Sequence, residues 1–196
     1  MPATTASLPL AQLLGHAADA VQAVRAGESL TSALARTPAA ARPGTQALAF
    51  EALRRLGGAL VVRERLAPRT PPAATDALLL TALALLWPTG EPAPYAVHTL
   101  VDQAVVAAGR RAPAGRGFVN AVLRRFVRER DALVEAARRD PVAAWQHPAW
   151  WIERLRADWP AHWQAILAAA NRHPPMTLRV NARRASAADY VERLAG

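Results

Sequence analysis

The chain has 196 residues, of which 52% are hydrophobic and 20% are charged, and this composition predicts a folded globular protein and excludes a disordered one. The longest apolar run, residues 77–87, is shorter than the roughly 20 residues that span a bilayer, and residues 1–5 lack the basic and apolar regions of a secretory signal, so we expect a cytoplasmic protein without membrane contact. The net charge is +9 and all 24 basic residues are arginine, which favours a nucleic-acid partner because guanidinium groups bind phosphate through paired hydrogen bonds.

Apolar residues at helical spacing run through most of the chain after residues 1–8, which we expect to form a flexible tail. Residues 77–87 are apolar on all sides, as in a helix surrounded by other helices. Gly57 and Gly58 are predicted to kink the helix before it. No alternating strand pattern precedes residue 175. The predicted fold class is therefore all-α, with six helices packed around residues 77–87 in a bundle that occupies residues 9–140.

The most informative local pattern follows a basic loop at residues 110–117. An apolar stripe from Phe118 to Phe126 predicts a helix that runs towards Arg139. On another side of this helix, polar residues recur every four positions, and the loop supplies further arginines, so phosphates could meet side chains and the helix amino terminus together. A solvated arginine face would give the same pattern, and a GC-rich genome would also favour arginine over lysine. The candidate phosphate-binding residues are Arg110, Arg111, Arg116, Asn120, Arg124 and Arg128.

Residues 141–173 are rich in tryptophan and predict a helical connector. Five of the six tryptophans lie here, at positions 145, 150, 151, 159 and 163. They could stack on nucleic-acid bases, but tryptophans at helical spacing among Ile and Leu are more often core residues. We therefore interpret them as packing, with inward faces formed by Trp151, Leu155, Trp163, Ile166 and Leu167.

Residues 174–196 are predicted to begin an α/β subdomain. Met176, Leu178 and Val180 alternate with polar residues in a strand pattern, and Ser186 is placed to cap a following helix. A single strand needs sheet partners. We therefore expect a truncated subdomain, and a parent protein that continues beyond it.

Residues typical of catalysis were not found. The chain has no cysteine and no glycine-rich phosphate loop, so we predict no catalytic, cofactor-binding or metal-binding residue. The histidines are interpreted as surface or capping residues without a repeated acidic or histidine partner at helical spacing; they are His16, His98, His147, His162 and His173.

Two segments of the chain resemble known families. The sequence from Gly117 to Phe126, GFVNAVLRRF, resembles the signature helix of NusB-like domains. The sequences His147–Trp150 and Asn171–Asn181 resemble the connector of the Sun/RsmB family. This second resemblance extends from about Leu10 to Gly196. The Sun/RsmB family consists of bacterial small-subunit rRNA methyltransferases that make 5-methylcytosine with S-adenosylmethionine.

The resemblance implies a division of labour. Residues 9–140 would be a NusB-like RNA-binding domain, residues 141–173 a connector, and residues 174–196 the first strand and helix of a truncated α/β subdomain. The cysteine nucleophile and methyl-donor site of the family lie downstream, so the chain itself would be inactive and would bind no cofactor, and S-adenosylmethionine would be bound by the full-length parent. The implied partners are small-subunit rRNA and the parent's own catalytic domain. We expect a monomer, because the apolar stripes are needed for the core.

Two other functions fit the same residues. A freestanding antitermination-type module would use a NusB-like fold to bind RNA and a protein partner without chemistry. Alternatively, the helical domain would only brace the catalytic domain, and its arginines would meet protein or solvent.

Overall fold

The computed structural model describes residues 8–89, 94–172, 174 and 176–195, and this part of the chain is helical. It contains twelve α-helices and no strand, which confirms the all-α prediction. The helices are α1 (Leu10–Arg25), α2 (Leu30–Ala35), α3 (Arg42–Arg54), α4 (Leu56–Leu66), α5 (Ala73–Leu85), α6 (Val97–Arg111), α7 (Arg116–Arg128), α8 (Arg130–Ala137), α9 (Pro141–Trp145), α10 (Ala149–Asp158), α11 (Trp163–Ala170) and α12 (Ala187–Ala195). A short 3-10 turn, Pro113–Gly115, connects α6 to α7. None of the described helices is both long and apolar enough to cross a membrane.

Helix α5 is the centre of the bundle. Every residue from Thr75 to Ala84 is buried, and the helix packs against α1, α3, α4, α6 and α7. This arrangement follows from its sequence, because a helix that is apolar on all sides is stable only when other helices surround it. The predicted core helix is confirmed, although it ends at Leu85 and Trp87 is buried just beyond it.

Two buried charged side chains and one partly exposed arginine meet where α5 packs against its neighbours. Asp76, in the first turn of α5, lies 2.9 Å from Nη1 of Arg25 on α1 and 3.2 Å from Nε of Arg63 on α4. The side chains of Asp76 and Arg63 are 3% and 7% exposed, so each offsets part of the cost of burying the other's charge. The three residues therefore connect α1, α4 and α5 inside the bundle.

The two adjacent glycines do not kink a helix as predicted. The helix is interrupted before them at Arg55, between α3 and α4. The glycines instead allow close packing at the start of α4. A Cβ atom on Gly57 would collide with the carbonyl oxygen of Val142 on α9, and one on Gly58 would lie 2.6 Å from the ring of Trp87.

A single side chain also joins the connector to the bundle at this point. Gln146 follows α9 in a left-handed conformation with φ of 59°. Its Oε1 accepts a hydrogen bond from the backbone N–H of Gly58 at 2.8 Å, and its Nε2 donates to the carbonyl of Ala143 at 2.9 Å. The amide thus satisfies one of the backbone N–H groups that the first turn of α4 leaves without a helical partner.

The predicted apolar stripe of α7 is largely confirmed. Val119, Val122, Leu123 and Phe126 are buried, whereas Phe118 is 39% exposed because it lies at the edge of the stripe in the first turn. The helix does not continue towards Arg139; it ends at Arg128, and α8 begins two residues later.

The tryptophans of the connector divide between two environments. Trp145 and Trp163 pack edge to face, with ring centroids 5.0 Å apart, beside a small core of Ile152, Leu155 and Leu167. For these two the packing interpretation is correct. For Trp151 it is wrong, because Ile152 takes the buried position and Trp151 is exposed, as are Trp150 and Trp159.

The carboxyl-terminal part of the chain forms the predicted helix but not a strand ladder. Within the described part of the chain, residues 176–181 belong to no strand, although the sequence pattern predicts one there. Helix α12 begins as predicted, with the Ser186 Oγ accepting from the N–H of Asp189 at 3.1 Å. Residues 1–7 of the predicted tail, and His173 and Pro175 of the connector motif, lie outside the described residues, while Leu8 packs against the core.

Candidate nucleic-acid interface

A groove of about 810 Å³ runs between α6 and α7 on the surface of the bundle. Helix α7 forms one wall and α6 the other, and valines from both helices form the floor. The groove is lined by Val97, His98, Val101, Asp102, Val105, Arg116, Gly117, Asn120, Arg124, Val127 and Arg128.

Four of the six predicted residues line the α7 wall. Arg116 was predicted in the loop, but α7 begins at this residue, so Arg116, Asn120, Arg124 and Arg128 follow one another at four-residue intervals along a single helix face. Nε of Arg124 donates to Oδ1 of Asn120 at 2.9 Å. This hydrogen bond holds the Arg124 guanidinium along the wall and leaves its terminal nitrogens to the groove.

The arginines of this wall differ from their neighbours in their lack of acidic partners. Within the described residues, Arg116, Arg124 and Arg128 form no ion pair, although each is exposed. Arg125, the next residue along α7, has its Nε 3.1 Å from Oε2 of Glu129. The groove therefore has three arginines without an ion-pair partner in the described part of the chain, a common condition for phosphate binding.

The other two predicted residues lie elsewhere. Arg111, the last residue of α6, pairs with Asp19 on α1 and donates from Nη1 to the carbonyl of Gly15 at 3.0 Å. It therefore links α6 to α1. Arg110 is exposed at the end of α6 but does not line the groove.

The α6 wall carries two polar residues that the sequence-based search missed. His98 and Asp102 lie one helical turn apart and both line the groove. His98 is exposed, as expected of a surface residue, and the sequence-based interpretation gave its separation from Asp102 no weight. Their four-residue separation was a visible signal, and only the packing of α6 beside α7 gives it significance.

Comparisons with known proteins point to one family. Residues 147–196 match the model of the family described as "Methyltr_RsmF/B-like, ferredoxin-like domain". The chain is 44% identical over 121 residues to "Ribosomal RNA small subunit methyltransferase B" of Pseudomonas putida, which covers 61% of this chain and 27% of the relative. It is 42% identical over 98 residues to the probable enzyme of the same name from Coxiella burnetii, covering 50% and 23%. The corresponding protein of Erwinia tasmaniensis is 39% identical over 104 residues, covering 53% and 23%.

The chain spans about a quarter of the length of the curated relatives it matches. The similarity to one set of named proteins and the match at residues 147–196 agree with the motifs in the sequence. The chain is therefore related to the small subunit ribosomal RNA methyltransferase B proteins, which confirms its resemblance to the Sun/RsmB family.

Proposed function

We propose that this chain is the RNA-binding, substrate-recognition region of an rRNA cytosine-5 methyltransferase, and that the α6–α7 groove contacts small-subunit rRNA. The observation that carries the proposal is the row of three exposed arginines without acidic partners on the α7 wall. RNA carries a phosphate at every nucleotide, and such contacts supply most of the affinity of a basic surface. The names of the relatives support rRNA as the partner.

The proposal divides the chain into three parts with different tasks. Residues 9–140 form the RNA-binding domain, residues 141–173 the connector, and residues 174–196 the start of an α/β subdomain. The chain acts as a monomer in the cytoplasm, and its other partner is the catalytic domain of the same protein.

The methyl transfer itself belongs to a region outside these residues. The chain contains no cysteine. Its resemblance to the Sun/RsmB family implies that the cysteine nucleophile and the S-adenosylmethionine site lie downstream of these residues in the parent protein. We therefore expect the chain alone to transfer no methyl group. The match at residues 147–196 to a methyltransferase-associated domain favours this function over a freestanding antitermination module.

Replacing both Arg124 and Arg128 by Gln tests the proposed interface. Glutamine keeps helix propensity and removes two charges, so RNA affinity should fall, and the slope of log affinity against log salt should become shallower by about 0.7–0.9 for each lost contact. Fluorescence anisotropy with labelled rRNA fragments at several salt concentrations measures both quantities.

The matched control replaces Arg125 and Arg154 by Gln. It removes the same charge from two helical arginines that already pair with Glu129 and Asp158, so affinity and salt slope should change much less. A folded Arg124→Gln, Arg128→Gln protein that binds RNA with unchanged affinity and slope would refute the proposal and leave the brace hypothesis ahead.

A further inference from the structure

The α6 wall of the groove carries an acidic side chain, which phosphate binding does not need. Asp102 is exposed and lines the groove opposite three arginines. It forms no ion pair with any of them within the described residues. Among the described residues, Asp102 accepts one hydrogen bond, in which Nε2 of Gln103 donates to its Oδ2 at 3.1 Å. Its Oδ1 is therefore available to accept another.

The floor between the two walls is apolar. Val97, Val101 and Val105 from α6 and Val127 from α7 form it. Phosphates gain nothing from such a surface, whereas the flat faces of nucleobases are apolar enough to lie against it. The groove thus offers cations on one side, an apolar floor, and a hydrogen-bond acceptor on the other side.

The width of the groove decides the form of RNA that can use all three features. Helices α6 and α7 pack directly against each other, and packed helices have axes about 8–10 Å apart. A double-stranded RNA can present phosphates to the arginines, but its bases are stacked inside the duplex and cannot reach the floor. Unpaired nucleotides can turn their bases into the groove.

We propose that the groove binds unpaired nucleotides of RNA and that Asp102 selects bases with an exocyclic amino group. This inference rests on the proposed function. In it, the phosphates contact Arg116, Arg124 and Arg128, and the bases lie against the valine floor. A carboxylate only accepts hydrogen bonds. Cytosine, adenine and guanine offer amino donors to it, whereas uracil has a carbonyl oxygen in place of the cytosine amino group, and its one base-edge donor, N3–H, lies between two carbonyl oxygens that a carboxylate repels.

The test compares binding of short C-only, A-only and U-only RNA strands by fluorescence anisotropy, with the C-only strand also annealed to its complement. Wild-type protein should bind the C-only and A-only strands about three- to tenfold more tightly than the U-only strand, the size expected of one hydrogen bond. It should bind the duplex more weakly than the unpaired C-only strand.

Asp102→Asn keeps the size of the side chain, removes its charge and adds donors. In this variant the preference over the U-only strand should disappear and affinity for all strands should rise, because a negative charge facing the phosphates is lost. Asp131→Asn is the control: Asp131 is an exposed acid on α8 that lies outside the groove, and the wild-type preference should persist.

Each result has a separate meaning. Equal binding of C-only and U-only strands by wild type, or an unchanged preference in Asp102→Asn, overturns base selection by Asp102. Duplex binding as tight as single-strand binding overturns the requirement for unpaired nucleotides. In both cases, loss of affinity in the Arg124→Gln, Arg128→Gln protein would still support the proposed function, whereas that function fails if no RNA binding depends on these arginines.

Discussion

Adjacent residues of this chain often have opposite roles, because neighbouring positions on a helix point about 100° apart. Arg124 lines the groove while Arg125 pairs with Glu129. Helix α10 shows the same effect among apolar residues, since Trp151 is 37% exposed and Ile152, the next residue, is 3% exposed.

We predict that Ile152→Ala lowers the free energy of unfolding by about 2–5 kcal/mol, because it opens a cavity in the small core of α10 and α11. Trp150→Ala, the control on the same helix, should cost less than about 1 kcal/mol, because most of its side chain already contacts water. Urea unfolding followed by circular dichroism measures both. A larger loss for Trp150→Ala than for Ile152→Ala would contradict the placement of these residues.

At the scale of helices, α4 and α9 meet at a contact that depends on glycine. Gly57→Ala should destabilise the protein, because the added Cβ meets the backbone carbonyl of Val142, which cannot rotate away as a side chain would. We expect a loss of about 1–3 kcal/mol in thermal or urea unfolding.

Gly117→Ala is the control for this substitution. A Cβ on Gly117, which is also in the first turn of a helix, has no atom within 4 Å, so alanine should be neutral or stabilising by up to about 1 kcal/mol. Similar losses for both variants would show that α4 and α9 do not meet as closely as described.

The helices themselves could be predicted from the sequence to a large extent, and their partners could not. The apolar run of α5 and the stripe of α7 specify buried faces through local periodicity. The roles of Arg111 and Asp102 depend on which helix lies beside α6. Arg111 forms an ion pair with Asp19 of α1, and Asp102 lies across the groove from α7. Contacts between segments far apart in the chain leave no periodic signal, so the sequence predicted half of the groove and missed its α6 wall.

For the molecule as a whole, the buried ion pair of Asp76 and Arg63, with Arg25 at its edge, connects three helices of the bundle. Asp76→Ala should lower the free energy of unfolding by about 3–5 kcal/mol, because it leaves the Arg63 guanidinium buried with only the exposed Glu64 carboxylate, 3.9 Å from its Nη2, as a counter-charge. Calorimetric or urea-induced unfolding provides the measurement.

Asp131→Ala is the matched control, since Asp131 is 96% exposed and pairs only loosely with Arg130 at 3.7 Å; its loss should be within about 0.5 kcal/mol of zero. A further variant, Asp76→Leu with Arg63→Met, removes both buried charges and should recover much of the lost stability. If Asp76→Ala unfolds like the wild type, the buried charges do not stabilise this bundle.

The contact between Gly57 and Val142, together with the hydrogen bond from Gly58 to Gln146, sets the position of the connector on the bundle as well as stabilising the fold. Backbone atoms meet there, so the connector has little freedom to slide along the bundle. Residue 147, where the ferredoxin-like match begins, therefore directly follows a segment that packs against α4 of the bundle. A nucleotide bound in the groove would therefore determine which part of the same RNA strand lies beside the residues that follow residue 147.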